Sequence, residues 1–337
     1  MARFRPGRAY FVNALVLGAT GFIGGRIAHV LVEDGVRVRA LRRDGSRAIA
    51  VEGLPLEFVP GDIRRTDSLE RAMRGCEIVF HSAAPYPMEA RRPEAQIADA
   101  VQTMDNVLAA AARTGVRRIV YISSYTTIGL PERPGVPAGE SSAYVPSPRD
   151  PLYFRMKAAM EDRALSSRAV PVVALNPTMC VGPGDAKPTT ARFLLLYAKS
   201  RFPFHLPGGM DVVDVRHVAR AAVTAADRGA AGERYIVAGR WITLERFAKL
   251  SAEAAGVRAG FLPVPYPILR GAARAAEAVM RLVPGGRPAP VAQALEMLRR
   301  SFPVDASKAR RELGLGETDP ARAIADAVAW FRERDYL

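Results

Sequence analysis

Four apolar residues, Ala14-Leu-Val-Leu17, stop at Gly18 and lead into Ala-Thr-Gly21-Phe-Ile-Gly24. The next residues place Phe22, Ile23, Ile27, Val30 and Leu31 at helical spacing. Few chains can fold around strand, glycine turn and helix in this order except as a βαβ unit. Each glycine has a physical task. Gly18 permits a tight turn, Gly21 lets the backbone approach a pyrophosphate, and Gly24 lets helix pack closely on strand. The helix N-terminus then offers unpaired N–H groups to an anion. Gly18, Thr20, Gly21, Phe22, Ile23 and Gly24 are therefore expected to hold a dinucleotide.

The alternation continues beyond this unit. Strands are expected at 36–41, 56–59, 77–80, 118–122 and 170–175, with helices near 66–73, 94–114 and 152–168. Short apolar runs separated by helices of this length imply a doubly wound parallel sheet, the Rossmann arrangement, with right-handed crossovers. After about residue 180 the pattern weakens, and proline and glycine cluster at 182–188, 203–209 and 284–290. Helical tracts at 244–255, 268–282, 290–300 and 320–333 suggest a smaller, mostly helical lobe. The expected organisation is a Rossmann domain over 10–180, segments near 210–240 returning to it, and a substrate lobe over most of 181–337.

Composition removes several function classes. The net charge is +14, but only five of the 48 basic residues are lysines and the arginines are spread along the chain. Without interleaved aromatics or zinc spacing, this is an arginine bias and not a nucleic-acid surface. No stretch approaches the roughly 18 apolar residues of a membrane span. The basic N-terminus lacks the apolar core of a signal peptide, so a cytoplasmic protein is expected. Cys76 and Cys180 have no CxxC partner, and His29, His81, His205 and His217 show no ligand spacing, so no metal is expected.

Tyr153-Phe-Arg-Met-Lys157 puts a phenol and an ammonium at i and i+4 on one helix face. The ammonium favours phenolate and so lowers the phenol's pKa. Such a tyrosine can exchange a proton with a carbonyl oxygen while hydride moves at a nicotinamide. With ten tyrosines and five lysines, one such pair arises by chance in roughly 15% of chains, so position has to carry the argument. The pair lies on the helix that follows the run Val120-Tyr-Ile-Ser-Ser-Tyr-Thr-Thr-Ile-Gly129.

The G-x-x-G-x-x-G loop, the serine pair and Tyr-xxx-Lys together resemble the extended short-chain dehydrogenase/reductases, the NAD-dependent epimerase/dehydratase family. Among these, the chain is most similar to dihydroflavonol-4-reductase-like and hopanoid-associated sugar-epimerase-like proteins. The resemblance implies Ser124, Tyr153 and Lys157 as the catalytic set, with Ser123 or Thr126 as substitutes for Ser124. It implies Asp62 and Ile63 at the adenine, and Ser82, Ala83 and Ala84 under the cofactor, which Tyr153, Lys157 and Pro177 also contact. It implies Ser124, Tyr125 and Asn176 at the substrate. The segment from Asn176 to Pro183, continued by Asp185-Ala-Lys-Pro-Thr, is implied to lie behind nicotinamide and substrate. A homodimer follows only by analogy.

The second strand ends Leu41-Arg42-Arg43-Asp44. Arginine stands where an NAD site places an acid, and two guanidinium groups suit a 2′-phosphate. NADP(H) is expected from Arg42 and Arg43; NAD(H), read by Asp44, is the alternative. Two departures bear on the substrate. Ala100 replaces the family's relay asparagine, and the run Gly209 to His217 lacks the usual diphosphate arginine ahead of its strand. Apolar residues Phe261, Leu262, Val264, Tyr266, Ile268, Met280 and Leu282 either line a lipophilic pocket or form the lobe's own core. The expected activity is hydride transfer to or from the carbonyl or secondary alcohol of a small apolar substrate. The alternatives are a nucleotide-sugar epimerase or dehydratase with retained NAD, and a nonenzymatic NADP(H) sensor.

Overall fold

Ala14 to Leu17 are completely buried, as a strand covered on both faces must be. A computed structural model of the chain describes residues 11–84, 92–131, 133, 135–188, 191–199, 204–205, 207–258, 262–282, 295–296, 299 and 301–337. In chain order the first elements are β1 (Asn13–Leu17), α1 (Phe22–Glu33), β2 (Arg37–Arg42), β3 (Glu57–Pro60), α2 (Thr66–Met73) and β4 (Ile78–His81). Next come α3 (Pro93–Thr114), β5 (Arg118–Ile122), α4 (Leu152–Leu165), β6 (Val172–Pro177), β7 (Met179–Val181) and α5 (Ala191–Lys199). Then follow β8 (Phe204–His205), β9 (Gly209–Asp214), α6 (Val215–Arg228), β10 (Arg234–Val237) and β11 (Arg240–Thr243). The last are α7 (Leu244–Ala254), β12 (Leu262–Pro263), α8 (Tyr266–Leu282), α9 (Ser307–Leu313) and α10 (Pro320–Arg332).

The main sheet runs β10-β6-β5-β4-β1-β2-β3, with every neighbouring pair parallel. Strand order reverses at β1, which lies between β2 and β4, and the crevice at such a switch point is where this architecture binds ligands. One face buries Ile27 and Leu31 of α1 with Val218, Ala219 and Ala222 of α6. The other buries Leu69 of α2, Met104 and Val107 of α3, and Met156 and Met160 of α4. This is the doubly wound Rossmann fold expected from the alternation.

The expected return of residues 210–240 divides in two. α6 and β10 join the main sheet, whereas β9 pairs with β7 in parallel and with β11 antiparallel in a separate three-stranded sheet. That small sheet and helices α5, α7 and α10 share a third core around Leu194, Phe247, Val328 and Phe331. Most of the expected 290–300 helix, residue Phe261 and the side chain of Leu282 lie outside the described residues. Leu262, Ile268 and Met280 are exposed, while Tyr266 packs against the third core. Among the described residues no helix is long and apolar enough to cross a membrane.

Candidate active site

At the end of β1 the chain turns through Gly18 with φ of 90°, and the Gly21 N–H donates to Gly18 O at 2.9 Å. A Cβ on Gly18 would stand 2.9 Å from Ala83 N, because the turn is pressed onto the end of β4. A Cβ on Gly24 would stand 2.3 Å from Gly18 O, so α1 starts directly against the turn. Gly21 is the N-cap of α1 and carries no capping side chain. The first-turn N–H groups therefore have no side chain closing over them, and the backbone forms a cradle with a positive end. These features fit the pyrophosphate of a dinucleotide. Gly24→Ala is expected to displace the loop and weaken dinucleotide affinity by about tenfold or more, measured by fluorescence titration.

The two arginines after Leu41 part company. Arg42 closes β2 and lays its guanidinium over the Phe58 ring, 4.9 Å from the centroid. Arg43 lines a cleft of about 600 Å³ together with Thr20 of the glycine loop. Arg42, expected beside Arg43 at the cofactor, is not in that cleft lining. Alternation along the strand explains the split, since adjacent side chains leave a strand in opposite directions. Asp44 and Arg47 share the cleft.

Asp62 and Ile63 follow β3 and are fixed by contacts that local sequence reading did not supply. The Asp62 N–H donates to Ser68 Oγ at 3.1 Å, and Asn106 Nδ2 donates to Ile63 O at 3.3 Å and Arg64 O at 3.0 Å. The Ser82 N–H donates to Leu17 O at 2.9 Å, and Ala83 and Ala84 pack half-buried on the core. Ala100, noted for replacing a polar relay residue, is completely buried on α3.

Ser124 stands just past β5 and caps the short turn Tyr125–Thr127. Its Oγ accepts the Thr126 N–H at 3.2 Å and the Thr126 hydroxyl at 3.0 Å. Both bonds use the oxygen as acceptor, which leaves the hydroxyl hydrogen available to a carbonyl oxygen. Tyr153, Lys157 and Glu161 follow at i, i+4 and i+8 along one face of α4. Tyr153 is half-buried against the second core, and Lys157 is buried. Lys157 Nζ donates to Ile122 O at 2.9 Å and approaches the Tyr121 hydroxyl at 3.4 Å. Burial lowers the Lys157 pKa to about 8, with the Glu161 carboxylate acting in the opposite direction.

The other titratable neighbours are held neutral. Burial pushes the Tyr121 phenol well up, and the charges of Glu161 and then Tyr153 add to that. His81 is completely buried, its ring 5.4 Å from that of Tyr121. Burial, followed by the Lys157 charge, lowers its pKa to about 3. An imidazole that stays neutral throughout the physiological range does not serve as an acid there.

Asn176, expected at the substrate, is completely buried beneath the Ser124 turn. Its Nδ2 donates to Ser124 O at 3.1 Å and to Thr127 Oγ1 at 2.8 Å, and also meets Glu161 Oε2. Glu161 in turn pairs with Arg234 Nη1 at 3.2 Å, and Arg234 donates to Thr127 O, Glu140 O and Ser142 O. This network ties α4, the Ser124 turn, β6 and β10 together. Pro177 ends β6 opposite Val237. The Tyr125 ring meets Phe302 edge-on at 6.4 Å, on the side of the chain's last third.

Two residues in the Gly209–His217 run speak to the substrate. Arg216 is committed to Asp214 at 2.5 Å and Asp326 at 2.7 Å. Asp211 is 7% exposed, and burial raises its pKa to about 6, opposed by the Gly239 N–H it accepts. Between its ordinary 3.8 and about 6 the folded chain keeps a proton that the unfolded chain has released, so stability falls as pH rises through that window. Asp211→Asn is therefore expected to gain about 1–2 kcal/mol at neutral pH and nothing below about pH 4, read from urea midpoints across pH.

The later part of the segment from Asn176 to Thr189 reaches the end of β2. Positive φ angles at Gly182 and Gly184 turn the chain back, and Arg26 Nη2 donates to Pro183 O at 3.2 Å. Ala186 and Lys187 thereby reach the cleft lined by Arg43. Neither Lys187 nor Arg47 was anticipated there. The only hint in the sequence is a cation following a Gly-Pro-Gly-Asp turn.

A doubly wound sheet with a glycine cradle at its switch point is the architecture of a dinucleotide-binding domain. Residues 14–238 match the NAD dependent epimerase/dehydratase family, and the chain belongs to that family. It is 34% identical to "Sterol demethylase protein B" of Methylococcus capsulatus, covering 97% of this chain and all of that one. It is also 34% identical to a putative dihydroflavonol 4-reductase of Synechocystis, covering 96% and 95% respectively. Among solved structures, gox2253 superposes with a TM-score of 0.82 at 32% identity, over 96% of this chain and 99% of that one. The chain is an enzyme of the extended short-chain dehydrogenase/reductase type.

Proposed function

We propose that the enzyme is an NADP(H)-dependent carbonyl reductase for a small apolar ketone or aldehyde, working also in reverse as an alcohol dehydrogenase. The observation that carries this is the placement of Arg43, which lines one cleft with Thr20 of the phosphate loop. In a Rossmann domain the residue after the second strand meets the 2′ position of the cofactor ribose, and a guanidinium there suits a phosphate. The nicotinamide, when bound, supplies or accepts the hydride. Tyr153 gives its phenolic proton to the carbonyl oxygen, and Ser124 holds that oxygen with its free hydroxyl hydrogen. Lys157, fixed by Ile122 O, places a positive charge where it favours the tyrosinate left behind and orients the ribose.

The reductase in the name of the Synechocystis relative supports this chemistry, and the sterol in the name of the Methylococcus relative supports an apolar substrate. The family name carries a second reading, a nucleotide-sugar epimerase or dehydratase with retained NAD, in which Asp44 would accept the ribose hydroxyl. The commitment of Arg216 to two carboxylates speaks against it, since no arginine of that run is left for a sugar diphosphate.

The test is cofactor selectivity. Arg43→Ala is expected to weaken NADPH by about tenfold or more and to leave NADH within about twofold. Consumption of NADPH with a panel of apolar ketones and aldehydes supports the reading. Failure with all of them, alongside turnover of a nucleotide sugar without added cofactor, refutes it.

A further inference from the structure

The cleft at the end of β2 is built from four separate parts of the chain. Thr20 comes from the phosphate loop, and Arg43, Asp44 and Arg47 come from the connection after β2. Lys187 comes from the loop after β7, and Tyr336 from the C-terminal tail. Three cations against one carboxylate leave two positive charges around the cleft, and none of the three cations joins an ion pair among the described residues. A net charge of this size matches a phosphate monoester dianion.

Lys187 does not reach this place by chance of a long side chain alone. Its loop is anchored on one side by Arg26, which donates to Pro183 O. On the other side the Tyr336 hydroxyl donates to Ala186 O at 2.8 Å, next to Lys187 itself. Tyr336 is held in turn by its own N–H on Phe331 O at 3.0 Å and by its ring, 5.4 Å from Phe331 and 6.0 Å from Trp330. The aromatic tail is thus a strap over the loop that carries the lysine.

We propose that Lys187, positioned by the Tyr336 strap, is a third cation for the cofactor's 2′-phosphate, so that the later half of the chain helps select NADP(H) over NAD(H). This rests on the NADP(H) reading above. Asp44, the group that would favour an unphosphorylated ribose, is outnumbered in the same cleft.

The probes are 2′,5′-ADP and 5′-AMP, which differ only in the 2′-phosphate, titrated calorimetrically against the intact chain. Lys187→Ala is expected to weaken 2′,5′-ADP by about tenfold and to leave 5′-AMP within about twofold, with Lys187→Arg restoring most of the affinity. Tyr336→Phe, which removes only the strap's hydroxyl, is expected to weaken 2′,5′-ADP by about threefold. Lys187 is exposed, so its loss leaves the fold intact. If Arg43→Ala weakens 2′,5′-ADP while Lys187→Ala does not, the role of Lys187 is overturned and the NADP(H) reading stands. Equal weakening of both probes by Lys187→Ala also overturns it, because the lysine would then serve the 5′-phosphate that they share. If the unaltered chain does not prefer 2′,5′-ADP at all, the NADP(H) reading fails and takes this proposal with it.

Discussion

Tyr153→Phe lowers kcat for carbonyl reduction by about a thousandfold, within the range of roughly 10²–10⁴ set by general acid–base catalysis. NADPH affinity stays within about twofold, because the phenylalanine ring keeps the packing of Tyr153 on the second core. The expectation follows from the titratable groups around it. His81 and Tyr121 are held neutral by burial, and the buried Lys157 is tied to Ile122 O, so Tyr153 is the group proposed to deliver the proton. Stopped-flow reduction with saturating NADPH separates chemistry from binding. Turnover equal to that of the unaltered enzyme would remove Tyr153 from the acid/base role.

Arg234→Ala destabilises the chain by about 3 kcal/mol and lowers activity with it. Its side chain is 21% exposed and that of Glu161 is 5% exposed, so the substitution strands a carboxylate in the interior. Removing one member of a buried pair costs about 3–5 kcal/mol, and the partial exposure of the arginine puts the value at the lower end. The loss reaches the active site because Glu161 also receives Thr127 and Asn176, which hold the Ser124 turn. Urea unfolding followed by circular dichroism gives the stability change. Restoration of stability by the double substitution Arg234→Met with Glu161→Leu would show that the stranded charge, and not lost packing, is the cause.

The first half of the fold was legible because β1, β4, β5 and β6 are buried almost throughout and read as short apolar runs with helical spacing between them. β9 was not, since two of its six buried residues are Asp211 and Asp214 and break the apolar signal. α6 was missed for a related reason. It follows β9 without a linker, its start marked only by Asp214 accepting the Arg216 N–H. The glycine loop and the Tyr153/Lys157 pair are local motifs, so spacing together with their place among the strands and helices found them. The Glu161–Arg234 pair spans 73 residues, and Lys187 meets Arg43 only through the fold, so no local pattern announces either. Asn176 shows the converse. Its identity was legible, but its complete burial under Ser124 depends on how β6 sits beside β5.

An exchangeable NADPH, as proposed above, and a retained NAD leave different nucleotide on the purified chain. The purified chain is denatured and its released nucleotide quantified, then the native chain is dialysed and titrated with NADPH and NADH by fluorescence. The account predicts little nucleotide after dialysis and NADPH binding at least about tenfold tighter than NADH. One NAD per chain that survives dialysis, with no preference for NADPH, would contradict it and assign the chain to internal oxidation and re-reduction of a sugar nucleotide.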